Sequence, residues 1–131
     1  MIPEQKAEII EKGLRERGFK VAYIFGSRVA GREHEDSDID VGVLTEEPME
    51  LMEMIEVEKD IEKELEEDLD LVDLTDKDPR FAYNALRESK LIYSEDEELR
   101  VSFEQRLMRK YLDMKPFYDE YDRKVRERVT P

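Results

Sequence analysis

The sequence predicts a small α+β domain, a β-sheet packed by helices, followed by one long C-terminal helix. Short apolar runs that alternate with period two are separated by longer segments in which apolar residues recur every three or four positions. After residue 96 only the helical period remains. A chain of 131 residues suffices for one domain that buries about two thirds of its unfolded surface. We therefore expect a core over residues 1–95 and a helical extension over residues 96–131.

Each predicted element is bounded by residues that end helices or turn the chain. The first helix, for example, places Ile10 and Leu14 on one face and ends before Gly18. The predicted elements, in order, are helix 3–17, strand 19–25, strand 38–44, helix 50–67, strand 69–74, helix 79–89, strand 90–93 and the long helix from residue 96.

The two middle helices are predicted to bury apolar stripes against the sheet. The stripe of residues 50–67 consists of Leu51, Met54, Ile55, Ile61 and Leu65, with Glu58 as a charged exception. The inward residues of the helix 79–89 are Phe81, Ala82, Ala85 and Leu86.

A Gly-Ser pair ends the first predicted strand and forms the first part of a candidate site. Gly26 tolerates backbone angles that other residues avoid, and Ser27 favours the start of a helix. If a helix begins at Ser27, its free N–H groups and the seryl hydroxyl point into the turn, where a phosphate oxygen can accept their hydrogen bonds. The pair is therefore a candidate phosphate-binding turn.

Two aspartates share one face of the strand predicted over residues 38–44. Apolar side chains occupy its other face, and Asp38 and Asp40 lie two residues apart. At a rise of about 3.3 Å per residue their Cα atoms are roughly 6 to 7 Å apart, so both carboxylates can converge on Mg²⁺ ions. Gly42 follows on the same face and is expected to leave space above the strand.

The conjunction of these motifs is more informative than either motif alone. A Gly-Ser pair is an ordinary turn, and Asp-x-Asp is common in a chain with 36 acidic residues. Here a strand, a Gly-Ser turn, ten intervening residues and Asp-x-Asp at the start of a second strand occur together. This context favours a catalytic site over a chance occurrence.

These residues resemble the signature of the DNA polymerase beta-like nucleotidyltransferases. The resemblance rests on Gly26 and Ser27, on Gly31 and on the run from Ser37 to Val41. The short chain is similar to the minimal nucleotidyltransferases, many of which are antitoxins paired with HEPN-domain toxins. The resemblance implies the small mixed-sheet fold of that superfamily. One position departs from the pattern, because Ala30 stands where many relatives carry a basic residue.

The resemblance also implies a third carboxylate, on a neighbouring strand. Residues 68–74 offer Asp70 and Asp73 for this role. The family pattern matches Asp70 best, although strand periodicity alone leaves Asp73 open. By resemblance, the catalytic residues that hold two Mg²⁺ ions are Asp38, Asp40 and Asp70. The residues implied to bind the phosphates of ATP are Gly26, Ser27, Arg28 and Ser37.

The function implied by the resemblance is transfer of AMP from ATP to a protein hydroxyl. The expected acceptor is a tyrosine of a HEPN toxin, which would make this chain the antitoxin of a type VII toxin–antitoxin system and part of a hetero-oligomer. Two alternatives stay open. The chain can be a non-catalytic module that neutralises its partner by contact, or a nucleotidyltransferase for a small molecule.

Composition excludes several other classes of protein. The chain has no cysteine, so it has neither disulfides nor a cysteine-based metal site. No apolar run approaches the ~20 residues needed to span a membrane, and we expect a cytoplasmic protein. The net charge is −14, and acidic residues dominate before residue 98. An acidic surface repels phosphate backbones, so nucleic acid is an unfavourable partner and a basic protein surface a favourable one.

The long C-terminal helix carries an apolar stripe with aromatic and methionine side chains. The stripe consists of Phe103, Leu107, Tyr111, Met114, Tyr118, Tyr121 and Val125. Such spacing is compatible with packing on the chain's own core and with pairing to a helix of another protein. Pro116 lies within the helix and can kink it.

Overall fold

The computed structural model describes residues 3–26 and 38–129. Within them the elements are α1 (Glu4–Glu16), β1 (Val21–Phe25), β2 (Ile39–Leu44), α2 (Leu51–Leu65), β3 (Leu69–Asp73), a 3₁₀ turn (Leu74–Asp76), α3 (Pro79–Arg87), β4 (Lys90–Ser94) and α4 (Glu97–Val129). The described strands form a four-stranded sheet in the order β3-β2-β1-β4. The strand β1 pairs antiparallel with β2 and β4, whereas β2 and β3 are parallel. The mixed sheet and the long C-terminal helix are confirmed.

The parallel pairing of β2 and β3 follows from the helix between them. Parallel neighbours need a crossover connection, and α2 provides it with 15 residues. In the resulting register Ile39 is the partner of Leu69 and Asp40 is the partner of Asp70. Because paired residues of neighbouring strands project to the same face, the register brings the two aspartates to one side of the sheet.

The two faces of the sheet bury separate clusters of side chains. On one face, β2 and β3 pack Ile39, Val41 and Leu71 against α1 and α2. On the other face, β1 packs Tyr23 and Phe25 against α3 and α4. Burial of these apolar side chains is the main stabilising contribution to the fold.

Two details of the predicted helix stripes were wrong. Leu51, the first residue of α2, is 74% exposed. Val57, which was not part of the predicted stripe, is buried. Phe81 is 44% exposed, and its ring lies nearly perpendicular to that of Phe25 at a centroid separation of 6.4 Å. The remaining buried stripe of α2 consists of Met54, Ile61 and Leu65, as expected.

The helix α4 packs on the core along its first half. Phe103 and Leu107 are buried, and Tyr111 stacks on Tyr83 of α3 at a centroid separation of 3.7 Å. The helix continues through Pro116 to Val129. In its second half the apolar side chains are largely exposed, namely Met114, Phe117, Tyr121, Val125 and Val129.

Candidate active site

Gly26 forms the first part of the site, directly after β1. Its φ angle of +91° is one that residues with a Cβ rarely adopt. A Cβ added there would clash with Oδ2 of Asp40. The glycine is therefore required twice, because the backbone angle and the approach of the carboxylate both exclude a side chain.

Asp40 and Asp70 are partners in the parallel ladder and form the centre of the site. Burial, the charges of Asp70 and Asp38 and a hydrogen bond with Asp70 together raise the pKa of Asp40 to about 6, with burial contributing most. Two adjacent carboxylates repel each other when both are ionised, so the pair favours either a shared proton or a cation between them.

Asp38 lies one residue before β2 and is exposed. Its charge contributes to the raised pKa of Asp40, so the two side chains lie close enough to interact. This proximity is compatible with the prediction that Asp38 and Asp40 lie on the same face of the strand.

The other predicted site residues fall into two groups. Ser27, Arg28 and Ser37 lie outside the described residues. Asp73 is described and is separated from the aspartate pair, since it is the register partner of Val43 at the far end of β3. Its carboxylate accepts hydrogen bonds from Oγ1 of Thr45 at 2.7 Å and from the backbone N–H of Thr75 at 3.0 Å. Asp73 thus caps the 3₁₀ turn that follows β3.

The expectation of open space above Gly42 was wrong. A Cβ added to Gly42 would lie 2.5 Å from Cδ1 of Leu74, so that side chain fills the space above the strand. Leu74 is almost fully buried, and its side chain packs against Gly42 of β2. The small residue serves packing here.

The donor set at this end of the sheet fits Mg²⁺. Carboxylate oxygens are the ligands that Mg²⁺ prefers, together with water and phosphate oxygens. Burial and, to a smaller extent, the charges of Asp70 and Asp38 raise the pKa of Asp40, and a cation held by Asp40 and Asp70 would offset the repulsion between these carboxylates. Among the described residues, however, no group of three or more His, Cys, Asp or Glu side chains is arranged to hold a metal ion by itself.

Sequence reasoning missed two glutamates of α2 that lie beside β3. Oε2 of Glu62 accepts a hydrogen bond from the backbone N–H of Leu69 at 2.7 Å. Burial raises the pKa of Glu58, the charges of Asp70 and Glu62 add to this effect, and a hydrogen bond from the backbone of Leu71 opposes it. The signal in the sequence was Glu58 itself, a charged residue within an apolar stripe.

Over residues 3–26 and 38–129, no helix combines the length and the apolar character needed to cross a membrane.

Comparison with known proteins gives a family and several solved structures. The family model described as "Polymerase beta, Nucleotidyltransferase" matches residues 8–98. A chain in the crystal structure of a toxin–antitoxin with AMP-PNP is 24% identical, with a TM-score of 0.71 over 88% of this chain and 97% of the other. A chain in a structure of the tri-AMPylated Shewanella oneidensis HEPN toxin in complex with MNT antitoxin is 21% identical, with a TM-score of 0.66 over 90% and 97%.

A third structure has a similar degree of likeness. A chain in a tyrosine-to-alanine mutant of a toxin–antitoxin MntA complex is 25% identical, with a TM-score of 0.69 over 92% of this chain and 98% of the other. No curated protein matches the chain. The solved structures support the same fold over most of the chain's length, including much of α4.

Proposed function

Because this chain belongs to the polymerase beta nucleotidyltransferase family, we propose that it transfers AMP from ATP to a protein hydroxyl in a Mg²⁺-dependent reaction. The acceptor we propose is a tyrosine of a HEPN-domain toxin, so that modification by this chain neutralises the toxin. The observation that carries the proposal is the Asp40–Asp70 pair, in which the carboxylate of Asp40 lies against Gly26. Family membership gives the reaction type, and the paired carboxylates give the place where it can occur.

The residues of the site have separate tasks in this proposal. Asp38, Asp40 and Asp70 would hold two Mg²⁺ ions, which supply neutralisation of the charge that develops on the transferred phosphoryl group. Gly26, Ser27, Arg28 and Ser37 would bind the phosphates of ATP. The bare backbone of Gly26 lets a phosphate approach without contact to a Cβ.

Asp70 is the residue we assign to the acceptor. A carboxylate beside the attacking hydroxyl can take its proton as the bond to the α-phosphorus forms and pyrophosphate leaves. The environment of Asp40 suits the role of metal ligand. Burial and the charges of Asp70 and Asp38 disfavour its ionised carboxylate unless a cation binds it. Loss of Asp70 should therefore reduce turnover more than ATP binding.

Two observations support a protein acceptor. Similar chains occur in complexes that are described as toxin–antitoxin, one with AMP-PNP and one with a tri-AMPylated HEPN toxin. In this chain, the second half of α4 exposes Phe117 and Tyr121, which are side chains enriched at protein interfaces. An acidic protein with such a surface is suited to a protein partner.

The same surface favours one competing function, neutralisation by contact alone. A helix with exposed aromatic side chains can bind a partner without any chemistry at the aspartates. In that case the carboxylate pair would be dispensable for the antitoxin effect, which gives the two functions different experimental outcomes.

The test is transfer of label from α-labelled ATP to the HEPN-domain protein co-expressed with this chain, in the presence of Mg²⁺. Asp40→Asn should reduce labelling on the order of a thousandfold, which corresponds to about 4 kcal/mol of transition-state stabilisation. Asp68→Asn is the matched control, because Asp68 is an exposed aspartate two residues before Asp70. Native chain and control should label the partner equally.

The outcome also separates the two functions. If Asp40→Asn labels the partner as well as the native chain, the proposed site is wrong. If Asp40→Asn neutralises the toxin in cells without labelling it, neutralisation occurs by contact and the enzymatic antitoxin function is rejected.

A further inference from the structure

The strand that carries Asp70 lies at an edge of the sheet. Among the described strands, β3 has a neighbour only on the side of β2. Edge strands that are left open can slip or pair with other chains, and natural proteins cover or interrupt such edges. A displacement of β3 would displace Asp70 from Asp40, so the way in which this edge is held concerns the site directly.

The backbone groups of β3 divide between its two sides. The carbonyl of Asp68 accepts a hydrogen bond from the N–H of Ile39 at 3.2 Å, so the even-numbered residues bond to β2. In a parallel ladder the alternate residues then direct their N–H groups away from the partner strand. Within β3 these outward groups belong to Leu69, Leu71 and Asp73, and the first two flank Asp70.

The helix α2 supplies an acceptor for the outward group directly before Asp70. Oε2 of Glu62 accepts a hydrogen bond from the N–H of Leu69 at 2.7 Å. The side chain of Glu62 is only 18% exposed. A carboxylate at such a position is costly unless its oxygens have partners, and both have one, because Oε1 also lies 3.6 Å from Nζ of Lys59.

We propose that Glu62 is a positioning residue for nucleotidyl transfer, holding the edge of β3 so that the Asp70 carboxylate stays beside that of Asp40. The inference rests on the proposed function, because it assigns Glu62 a part in the same site. Glu62 is not placed in contact with the substrate. Its effect passes through the backbone of Leu69, the residue directly before Asp70.

Three variants test the role of Glu62. Glu62→Met removes the acceptor but keeps a side chain of similar length and good helix propensity. Glu62→Gln removes the charge but keeps an oxygen that can accept the N–H of Leu69. Glu64→Met is the control, because Glu64 is an exposed glutamate on the same helix. Thermal unfolding of each variant shows whether the chain remains folded.

The first measurement is the steady-state rate of nucleotidyl transfer by the folded variants. Glu62→Met should lower kcat about tenfold with little change in KM for ATP, because small displacements of a catalytic group reduce the rate of the chemical step. Glu62→Gln should recover most of the native rate, and Glu64→Met should retain it. A role in stability alone predicts a different pattern, in which specific activity per folded molecule is unchanged.

Two further measurements do not depend on activity. Hydrogen exchange at the Leu69 amide should be faster in Glu62→Met than in the native chain and in Glu62→Gln. Electron paramagnetic resonance titration with Mn²⁺ should show severalfold weaker binding in Glu62→Met only, since the two aspartates would no longer be held together.

The results distinguish this inference from the proposed function. A native chain that binds Mn²⁺ but transfers no nucleotide rejects the proposed function, and the Mn²⁺ affinities then decide whether Glu62 positions Asp70. Equal Mn²⁺ affinity and equal specific activity in Glu62→Met and the native chain overturn the inference. Equal impairment of Glu62→Met and Glu62→Gln also overturns it, because the acceptor oxygen would then be irrelevant.

Discussion

The two faces of the strands β2 and β3 differ sharply, although they are built from alternating residues of the same two segments. On the face toward α1 and α2, Ile39 and Leu69 are buried among apolar side chains. On the opposite face, Asp40 and Asp70 are placed side by side, with a raised pKa at Asp40. Both faces bury apolar side chains, but only the second also holds two like charges, which oppose folding.

The difference shows how this small domain separates stability from chemistry. A strand projects successive side chains to opposite faces, so a shift of one position changes a residue's surroundings completely. Packing of the face toward α1 and α2 fixes the backbone of the two strands. The fixed backbone keeps the two carboxylates close together, although they repel each other in the absence of a cation. Substitutions on the two faces should therefore have distinct signatures.

The largest effect on folding should come from the apolar face. Ile39→Ala should lower the free energy of unfolding by about 2–5 kcal/mol, because Ile39 is fully buried and its truncation leaves a cavity. Chemical denaturation measures this change. Nucleotidyl transfer per folded molecule should remain near the native value, and a large loss of specific activity would show that the two faces are not independent.

A substitution at Gly26 should lower both the stability of the fold and the rate of nucleotidyl transfer. It therefore tests whether the two can be changed independently. Gly26→Ala should destabilise the fold by roughly 1–2 kcal/mol through its positive φ angle. The added Cβ must also displace the carboxylate of Asp40, so transfer should fall more steeply than stability. Gly18→Ala is the matched control, because Gly18 has a similar φ of +86° but no atom within 4 Å of the added Cβ. Equal loss of transfer in both variants would contradict a specific effect at the site.

A smaller effect is expected from pH in the absence of divalent cations. The pKa of Asp40 is raised in the folded chain from its usual 3.8 to about 6, so its protonated form is favoured by folding. The resulting stabilisation is fully present below pH 3.8 and is lost as the pH rises through about 6. Thermal unfolding in EDTA should therefore show a component that falls between these values and disappears in Asp40→Asn.

The control for the pH experiment is Asp68→Asn, which should retain the component. Addition of Mg²⁺ at neutral pH should raise the unfolding temperature of the native chain more than that of Asp40→Asn, because a ligand that binds only the folded state stabilises it. The same pH dependence in Asp40→Asn and the native chain would show that another group is responsible.

Much of the fold could be predicted because its signals are local. Strand alternation, helix stripes and the glycines that end elements gave the order of elements and the face on which Asp40 lies. The errors came from tertiary contacts, which the local pattern does not contain. Periodicity shows which side of a helix is apolar but not how far the neighbouring element extends, which is why Leu51 was placed inward although it is exposed.

The same limit applies to the candidate site. The choice between Asp70 and Asp73 required the register of β2 and β3, which depends on how α2 crosses between them. The role of Glu62 required the knowledge that β3 is an edge strand. The space above Gly42 depended on Leu74, which directly follows β3 and is distant from Gly42 in the chain. The roles of all the site residues stay predictions, namely those of Gly26, Ser27, Arg28, Ser37, Asp38, Asp40 and Asp70.

The parallel register between β2 and β3 determines which assay can detect a misfolded form of the protein. A slip of one residue in a strand moves each of its side chains to the opposite face, so a misaligned β3 would direct Asp70 toward α1 and α2 and leave a leucine beside Asp40. Such a chain could keep its helices and its exposed α4 and still bind a partner, but it would be catalytically silent. An assay of transfer thus reports correct strand alignment, which binding alone does not.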